Sequence, residues 1–344
     1  MNDAMITFGP VASRRLGNSL GINNIRPKVC TYSCVYCQVG RTLQMEIEPR
    51  HFFKPPEIHA RTARRLAALT SQGGVVDCLT FVPDGEPTLD SRMGEAIEQL
   101  RALGIKIGVI TNGSLLWRPE VRQAVAKAQW VSVKVDSVDP RCWRRINRPH
   151  PKLRLEAVLQ GIEAFAQDFS GELVTETMLV AGLNDKPEDI RAVADFLAEI
   201  QPARAYLAAP IRPPAEKWVR TPDESVMAAA HQLFTEKLAQ VEYLLGFEQS
   251  CAVVGDDLAE ELLGITAVHP LREETVSSLI KARKNGRRIL NELLKSQKII
   301  LVEYEGHRFL VRKCKGGIQN GTKTCFGKRT ALFPEHGAKK NRPA

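Results

Sequence analysis

From residue 75 to residue 238, apolar runs of strand length alternate with segments of helical periodicity, and this alternation limits the possible folds most sharply. Val75 to Val82 is mostly apolar, broken at Asp77 and Thr80, as a strand buried on both faces reads. Helices are expected over 91–103, 119–128, 153–169, 187–200 and 222–238, and strands over 105–110, 130–135, 173–180 and 205–209. Upstream, 19–25 reads as a first strand, and 55–69 as a helix opened by Pro55-Pro56 and followed by Gly73-Gly74. Such alternation predicts parallel βαβ units. Six in a row, with crossovers of one hand, wind a sheet round on itself. About 200 residues are available, short of the ~250 of an eight-unit barrel. The expectation is an α/β fold, a partial (β/α)6 TIM-type barrel over residues 1–250; a doubly wound sheet has the same periodicity.

Between the first strand and the first helix lies Pro-Lys-Val-Cys-Thr-Tyr-Ser-Cys-Val-Tyr-Cys-Gln-Val-Gly-Arg, residues 27 to 41. Cys30, Cys34 and Cys37 stand at C-x3-C-x2-C spacing, close enough to face one soft metal centre of zinc or iron–sulfur type. A structural zinc site wants a fourth ligand, and no Cys or His follows at the usual spacing to supply one. The four-Cys runs of ferredoxins are absent too. A cubane held by three Cys leaves one iron with an open position, which a catalytic site needs. A zinc knuckle and three incidental buried thiols are the other readings of the spacing.

C-x3-C-x2-C with the aromatic Tyr36 before its third Cys resembles the signature of the radical SAM superfamily. The preceding Phe-Gly-Pro-Val-Ala-Ser-Arg-Arg-Leu-Gly-Asn-Ser-Leu-Gly, residues 8 to 21, resembles its Fe–S oxidoreductase branch, related to the wyosine-forming tRNA enzymes. The resemblance runs from about residue 6 to about 215. It implies a [4Fe-4S] cluster on Cys30, Cys34 and Cys37, whose open iron chelates the amino and carboxylate groups of S-adenosyl-L-methionine. One electron from an external donor of flavodoxin or ferredoxin type then releases a 5′-deoxyadenosyl radical, which takes hydrogen from a substrate such as an RNA base or another macromolecule. Archaeal wyosine enzymes carry extra N-terminal Cys; residues 1 to 29 here contain none, so another RNA, a protein or a small molecule is equally open as substrate.

In parallel α/β barrels the site lies at the C-terminal ends of the strands. One strand runs into Asp84-Gly85-Glu86-Pro87. This resembles the superfamily's Gly-Gly-Glu segment, with Asp84 where the first Gly is usual, and implies that Gly85 and Glu86 meet the methionine amino group. The next ends at Asn112-Gly113, where the resemblance puts a ribose contact; an ordinary Asn-Gly turn reads the same. On the following strand Lys134 and Asp136 share a face. They could meet the cofactor's charged groups or pair with each other. Tyr36, Gly85, Glu86, Asn112, Lys134 and Asp136 are thus the candidate cofactor contacts. Residues 141–154 hold six Lys or Arg and no acid, so Arg144, Arg145 and Arg148 could clamp a phosphate-bearing substrate, as could Arg212 in the stiff Pro210-Ile211-Arg212-Pro213-Pro214. A solvated helix start would look alike, although cations suit a helix N-terminus poorly.

The formal charge of +9 sits mostly in residues 312–344, where nine Lys or Arg face one acid, Glu335; the rest carries +1. Residues 313–344 read as a basic disordered tail. Helices over 256–265, 272–283 and 287–296, then a hairpin about Glu305-Gly306, give the order of a winged-helix domain over 256–312. Lys281, Arg283, Lys284, Arg287 and Arg288 gather where a recognition helix meets phosphate, though such domains also dock proteins. A non-enzymatic iron–sulfur winged-helix redox regulator binding DNA is therefore the alternative to an enzyme. Asn2 and Asp3 begin no signal peptide, no apolar run nears ~18 residues, and free thiols suit a reducing compartment, so a cytoplasmic protein with no membrane partner is expected. Cys78, Cys142 and Cys251 read as core or rim residues; Cys314 and Cys325 are too few for a metal site.

Overall fold

A computed structural model of the chain describes residues 6–245, 258–281, 283, 285–313. The 250/256 boundary, the tail beyond 313, Lys284, Cys251, Cys314 and Cys325 lie outside the described residues.

The N-terminal part begins with β1 (Thr7–Ser13), β2 (Gly17–Ile22) and the two-residue β3 (Val29–Cys30) and β4 (Gln44–Met45). Then follow α1 (Pro55–Thr70), β5 (Cys78–Phe81), α2 (Met93–Arg101), β6 (Lys106–Thr111), α3 (Pro119–Val125), β7 (Trp130–Lys134), α4 (Pro140–Ile146) and α5 (Leu155–Asp168). It closes with β8 (Glu172–Met178), α6 (Pro187–Ile200), β9 (Arg204–Ala208), α7 (Glu224–Thr235) and β10 (Val241–Tyr243). One sheet has the order β1-β2-β5-β6-β7-β8-β9-β10, parallel throughout except for β1 on β2. Strands β2, β5, β6, β7, β8 and β9 are each followed by helix, which makes the six expected units. Neighbours in space are neighbours in sequence, so the crossovers wind one way, as a barrel requires and a doubly wound sheet does not. The sheet's ends approach without pairing: Arg14, in the β1–β2 turn, donates to the carbonyl of Leu245, just past β10. The result is an open, partial barrel.

Inward side chains fill its base. Leu16, Cys78, Trp130, Val174 and Tyr206 form one buried cluster, Trp130 only 1% exposed. Outward side chains meet the helices, as on α6, where Ile190, Val193, Ala194 and Leu197 recur at helical spacing and are buried.

Three features differ from the sequence expectation. The strand read at 19–25 is β2 at Gly17–Ile22, and the antiparallel β1 precedes it. Gly9-Pro10 interrupts the apolar pattern of β1, and its register shifts between Phe8 and Val11. The basic segment after β7 is not a loop but begins with α4, capped by Asp139 and started by Pro140. Arg144 and Arg145 therefore sit in the last turn of a helix, where the dipole favours them.

The C-terminal part has α8 (Leu258–Val268), β11 (Leu271–Arg272), α9 (Glu273–Lys281), α10 (Gly286–Lys295), β12 (Ile299–Tyr304) and β13 (His307–Arg312), with a small sheet ordered β11-β13-β12. Its core is continuous with β1: Phe8 and Val11 pack among Leu258, Leu262, Ile265, Val276 and Leu310. The Phe8 ring covers Gly21, where a Cβ would fall 2.0 Å from it. Replacing Phe8 by Ala should cost ~3–5 kcal/mol, and hydrogen exchange should accelerate in α8 more than in β6 or β7. Equal acceleration throughout would contradict the joint core.

Candidate cofactor cavity

A cavity of about 350 Å³ runs down the barrel interior from the cysteine loop to Arg15 and Leu16 at the base. Cys30, Cys34, Cys37, Tyr36, Gly85, Glu86, Asn112, Lys134 and Arg212 all line it. Val268 and His269 of the C-terminal part complete its rim.

The cysteine loop has almost no regular structure, so its shape comes from what flanks it. On one side, Gly85 bridges Val29 and the Glu86 N–H donates to the Val29 carbonyl at 3.1 Å. Gly85 has φ +151, and a Cβ there would lie 2.0 Å from the Val29 carbonyl oxygen, so only Gly lets the two segments touch. On the other side, the end of α4 runs along the loop: Val35 N–H donates to Ile146, Ser33 N–H to Asn147, and His150 N–H to Thr31. The Glu216 N–H reaches the Val35 carbonyl at 3.0 Å. The Glu216 carboxylate takes Arg41 in a two-point contact at 2.9 and 2.9 Å, and Arg148 at 2.5 Å.

Asp84, in the place of the expected Gly, pairs with Lys28 at 3.2 Å, each side chain 4% exposed. Burial pushes the Asp84 carboxyl up to about 6, with Lys28 opposing. Glu86 is wholly buried, and burial raises it against hydrogen bonds from Thr111, Thr88 and the Asn112 N–H. The Asn112 amide is already engaged, donating to Thr31 Oγ1 at 2.8 Å and to Cys30 Sγ at 3.7 Å. Asn147 donates in the same way to Cys34 Sγ at 3.5 Å and to Asp136 at 2.6 Å.

The donor set fits an iron–sulfur cluster better than one ion. All three cysteines are free and partly exposed to the one cavity. Burial raises each thiol, Cys34 to about 12, and the neighbouring acids and thiols add to that at Cys30 and Cys34. Three thiolates so placed need a cationic centre. Among the described residues no three His, Cys, Asp or Glu side chains converge tightly enough for a single metal ion. Zinc would require that, with each sulfur about 2.3 Å from one point; a cluster gives every Cys its own iron.

Lys134 and Asp136 do not pair with each other. Lys134 turns into the cavity and donates to Glu176 at 2.5 Å. Asp136 is not among the residues lining this cavity; its side chain lies in the wall, accepting from Tyr36, Asn147 and the Met178 N–H. It fixes Tyr36 rather than meeting a ligand. Arg144 and Arg145 are exposed outside the cavity, and Arg148 is held by Glu216. Arg212 lies at the rim beside Gln38 Oε1 at 3.4 Å and His269 Nε2 at 3.2 Å. Burial, then Arg212, holds His269 well below its usual range, so it is neutral.

Sequence reasoning missed the base of the cavity. Arg15 rises between the Trp130 and Tyr206 rings, 5.6 Å from each centroid, and reaches Glu176 at 2.9 Å. A lone charged residue in the 173–180 strand was the available signal. Burial opposes ionisation of Glu176, but Lys134 and Arg15 prevail and hold it down to about 2. A depressed acid stabilises the fold above its unfolded value near 4.5 and loses that contribution as pH falls toward the folded value. Glu176→Gln should therefore cost ~3–5 kcal/mol at pH 7 in urea unfolding, and its deficit should shrink between about pH 4.5 and 2. A deficit independent of pH would contradict this triad.

The radical SAM superfamily model matches residues 25–197. UPF0026 protein MJ1312 of Methanocaldococcus jannaschii is 42% identical over 92% of this chain and 98% of its own. A UPF0026 protein of Helicobacter pylori strain J99 is 30% identical over 86% and 94%. An archaeal TYW1 crystal structure is similar over 64% of this chain and 72% of that one, with 14% identity and a TM-score of 0.44. The assignment rests on the superfamily match and the two sequence relatives. The chain belongs to the radical SAM superfamily, enzymes that use a [4Fe-4S] cluster and S-adenosylmethionine with an external electron donor.

Proposed function

We propose that Cys30, Cys34 and Cys37 hold the [4Fe-4S] cluster and that S-adenosylmethionine occupies the barrel interior beside it. One observation carries this: the three sulfurs, the Gly85-Glu86 turn and Asn112 line a single cavity at the strand ends. Loaded in this way, the cluster supplies one electron that cleaves S-adenosylmethionine to a 5′-deoxyadenosyl radical.

The chain's own residues bind, orient and exclude water. Gly85 allows close backbone approach, and Glu86 offers a buried carboxylate to the methionine ammonium, its oxygens oriented by Thr88 and Thr111. Asn112 would contact the ribose, with its amide held in place by Thr31. Lys134 is the cation nearest Tyr36, 5.4 Å above its ring, and suits the methionine carboxylate. Asp136 positions Tyr36 and Asn147 from behind. Arg212 at the rim is the best placed of the four predicted arginines to meet substrate.

The order helix, strand, helix, helix, hairpin in residues 258–312 supports a winged-helix reading of a separate C-terminal domain. With Arg287 and Arg288 at the start of α10, an RNA or other macromolecular substrate is the reading it favours. No helix among the described residues is long and apolar enough to cross a membrane. A DNA-binding regulator would have no use for the Glu86 carboxylate and the Asn112 amide on the cavity wall.

Anaerobic reconstitution with iron and sulfide, then dithionite and S-adenosylmethionine, should yield 5′-deoxyadenosine and methionine. Cys37→Ala should abolish the product, and Glu86→Gln should lower it ~10-fold or more, about 1.4 kcal/mol. Intact cluster spectra without 5′-deoxyadenosine would defeat the proposal.

A further inference from the structure

We infer that the outer face of the cysteine loop is the docking surface for the electron donor, and that the donor is an acidic flavin or iron–sulfur protein. The inference rests on the cluster assignment above and names where its electron enters.

A residue in contact with Cys34 is followed in the chain by a partly exposed one. Asn147 touches Cys34 Sγ at 3.5 Å from inside, and its neighbour Arg148 is 39% exposed outside. Val35 is held between Ile146 and Glu216 by backbone hydrogen bonds, so the end of α4 and the 216–219 segment lie edge to edge over the loop. Beneath them, Val35, Tyr36, Ile146 and Val219 share one apolar cluster, which fixes both segments to the cysteine loop.

This face is strongly cationic. Arg41 is 44% exposed, and Lys217, next to Glu216 in the chain, and Arg144 and Arg145, in the last turn of α4, are exposed as well. The acid at its centre, Glu216, is buried and engaged by Arg41 and Arg148. Asp139, Asp185 and Asp189 gather instead at the opposite end of α4. Trp218 adds a 49% exposed ring beside the cations. Basic residues round an exposed aromatic, over the point nearest a redox centre, match the small, charge-steered encounter surfaces of electron-transfer partners.

A nucleic acid would also meet these cations. None of Arg41, Arg144, Arg145, Arg148, Lys217 or Trp218 is among the described residues that line the cavity, however. A substrate held by them would not be placed in the barrel interior, whereas a donor held by them is placed against Cys34. The step is a one-electron transfer: the donor's flavin or iron–sulfur centre is oxidised by one electron and the cluster reduced by one. No bond forms or breaks, and no proton moves.

The test uses the holoprotein and the hydroquinone of a bacterial flavodoxin, with an Arg144→Glu, Arg145→Glu, Lys217→Glu variant. Cluster reduction is followed by stopped-flow absorbance, and affinity for oxidised flavodoxin by calorimetry. The wild-type rate should fall with salt. The variant should react ~10-fold or more slowly with flavodoxin at low salt and bind it more weakly, while its reduction by dithionite is unchanged. An unaltered flavodoxin rate and affinity would overturn the inference. So would a variant that loses affinity for bulk tRNA alone, which would make the face a nucleic-acid surface. If dithionite-reduced wild type bound flavodoxin as expected yet released no 5′-deoxyadenosine, the proposed function would fail and the docking surface would stand.

Discussion

Backbone hydrogen bonding across the cysteine loop is the constraint on which the rest depends. Residues 27–41, between β2 and β4, carry the three cysteines and form hardly any secondary structure of their own, so their geometry is imposed from both sides. The Gly85 turn holds the Val29 side, and residues 146–150 hold the Thr31 to Val35 side. The first clamp follows β5 directly and the second follows β7 through α4, so sheet curvature and cysteine placement are a single problem. The clamps also supply chemistry: Asn112 and Asn147 donate to Cys30 and Cys34 sulfur, the kind of contact that tunes cluster potential.

Charge is distributed with similar economy. Three cations within the barrel are matched by buried acids: Lys28 by Asp84, Arg15 and Lys134 by Glu176. Such pairs add little net stability, but losing one member strands its partner in a dry environment. The interior is thereby fixed before any ligand enters, and the C-terminal part adds His269 to its rim without adding a charge.

The six strand–helix units were legible because strands buried on both faces read as apolar runs and the intervening helices are amphipathic. The cysteine triplet was legible because its ligands are local. Strand β1 was not, since Gly9-Pro10 breaks its pattern, and β10 has only three residues, two of them exposed. Helix α4 had its cap and Pro in plain view, yet its run of cations read as a phosphate clamp or a solvated helix start. The partners of Arg148 and Arg15 lie 68 and 161 positions away, and no local pattern joins residues that only the winding of the sheet brings together. Of the polar residues singled out at strand ends, Glu86 and Asn112 line the cavity, and the Asp136 side chain lies in its wall.

The central claim is a cluster with one iron left without a protein ligand and facing the cofactor. Mössbauer spectroscopy of protein reconstituted with ⁵⁷Fe, recorded with and without S-adenosylmethionine, tests it most directly. One iron of four should change its isomer shift and quadrupole splitting when S-adenosylmethionine is added, while the other three stay as they were. Four equivalent irons indifferent to S-adenosylmethionine, or no cluster signal beside stoichiometric zinc, would contradict the account.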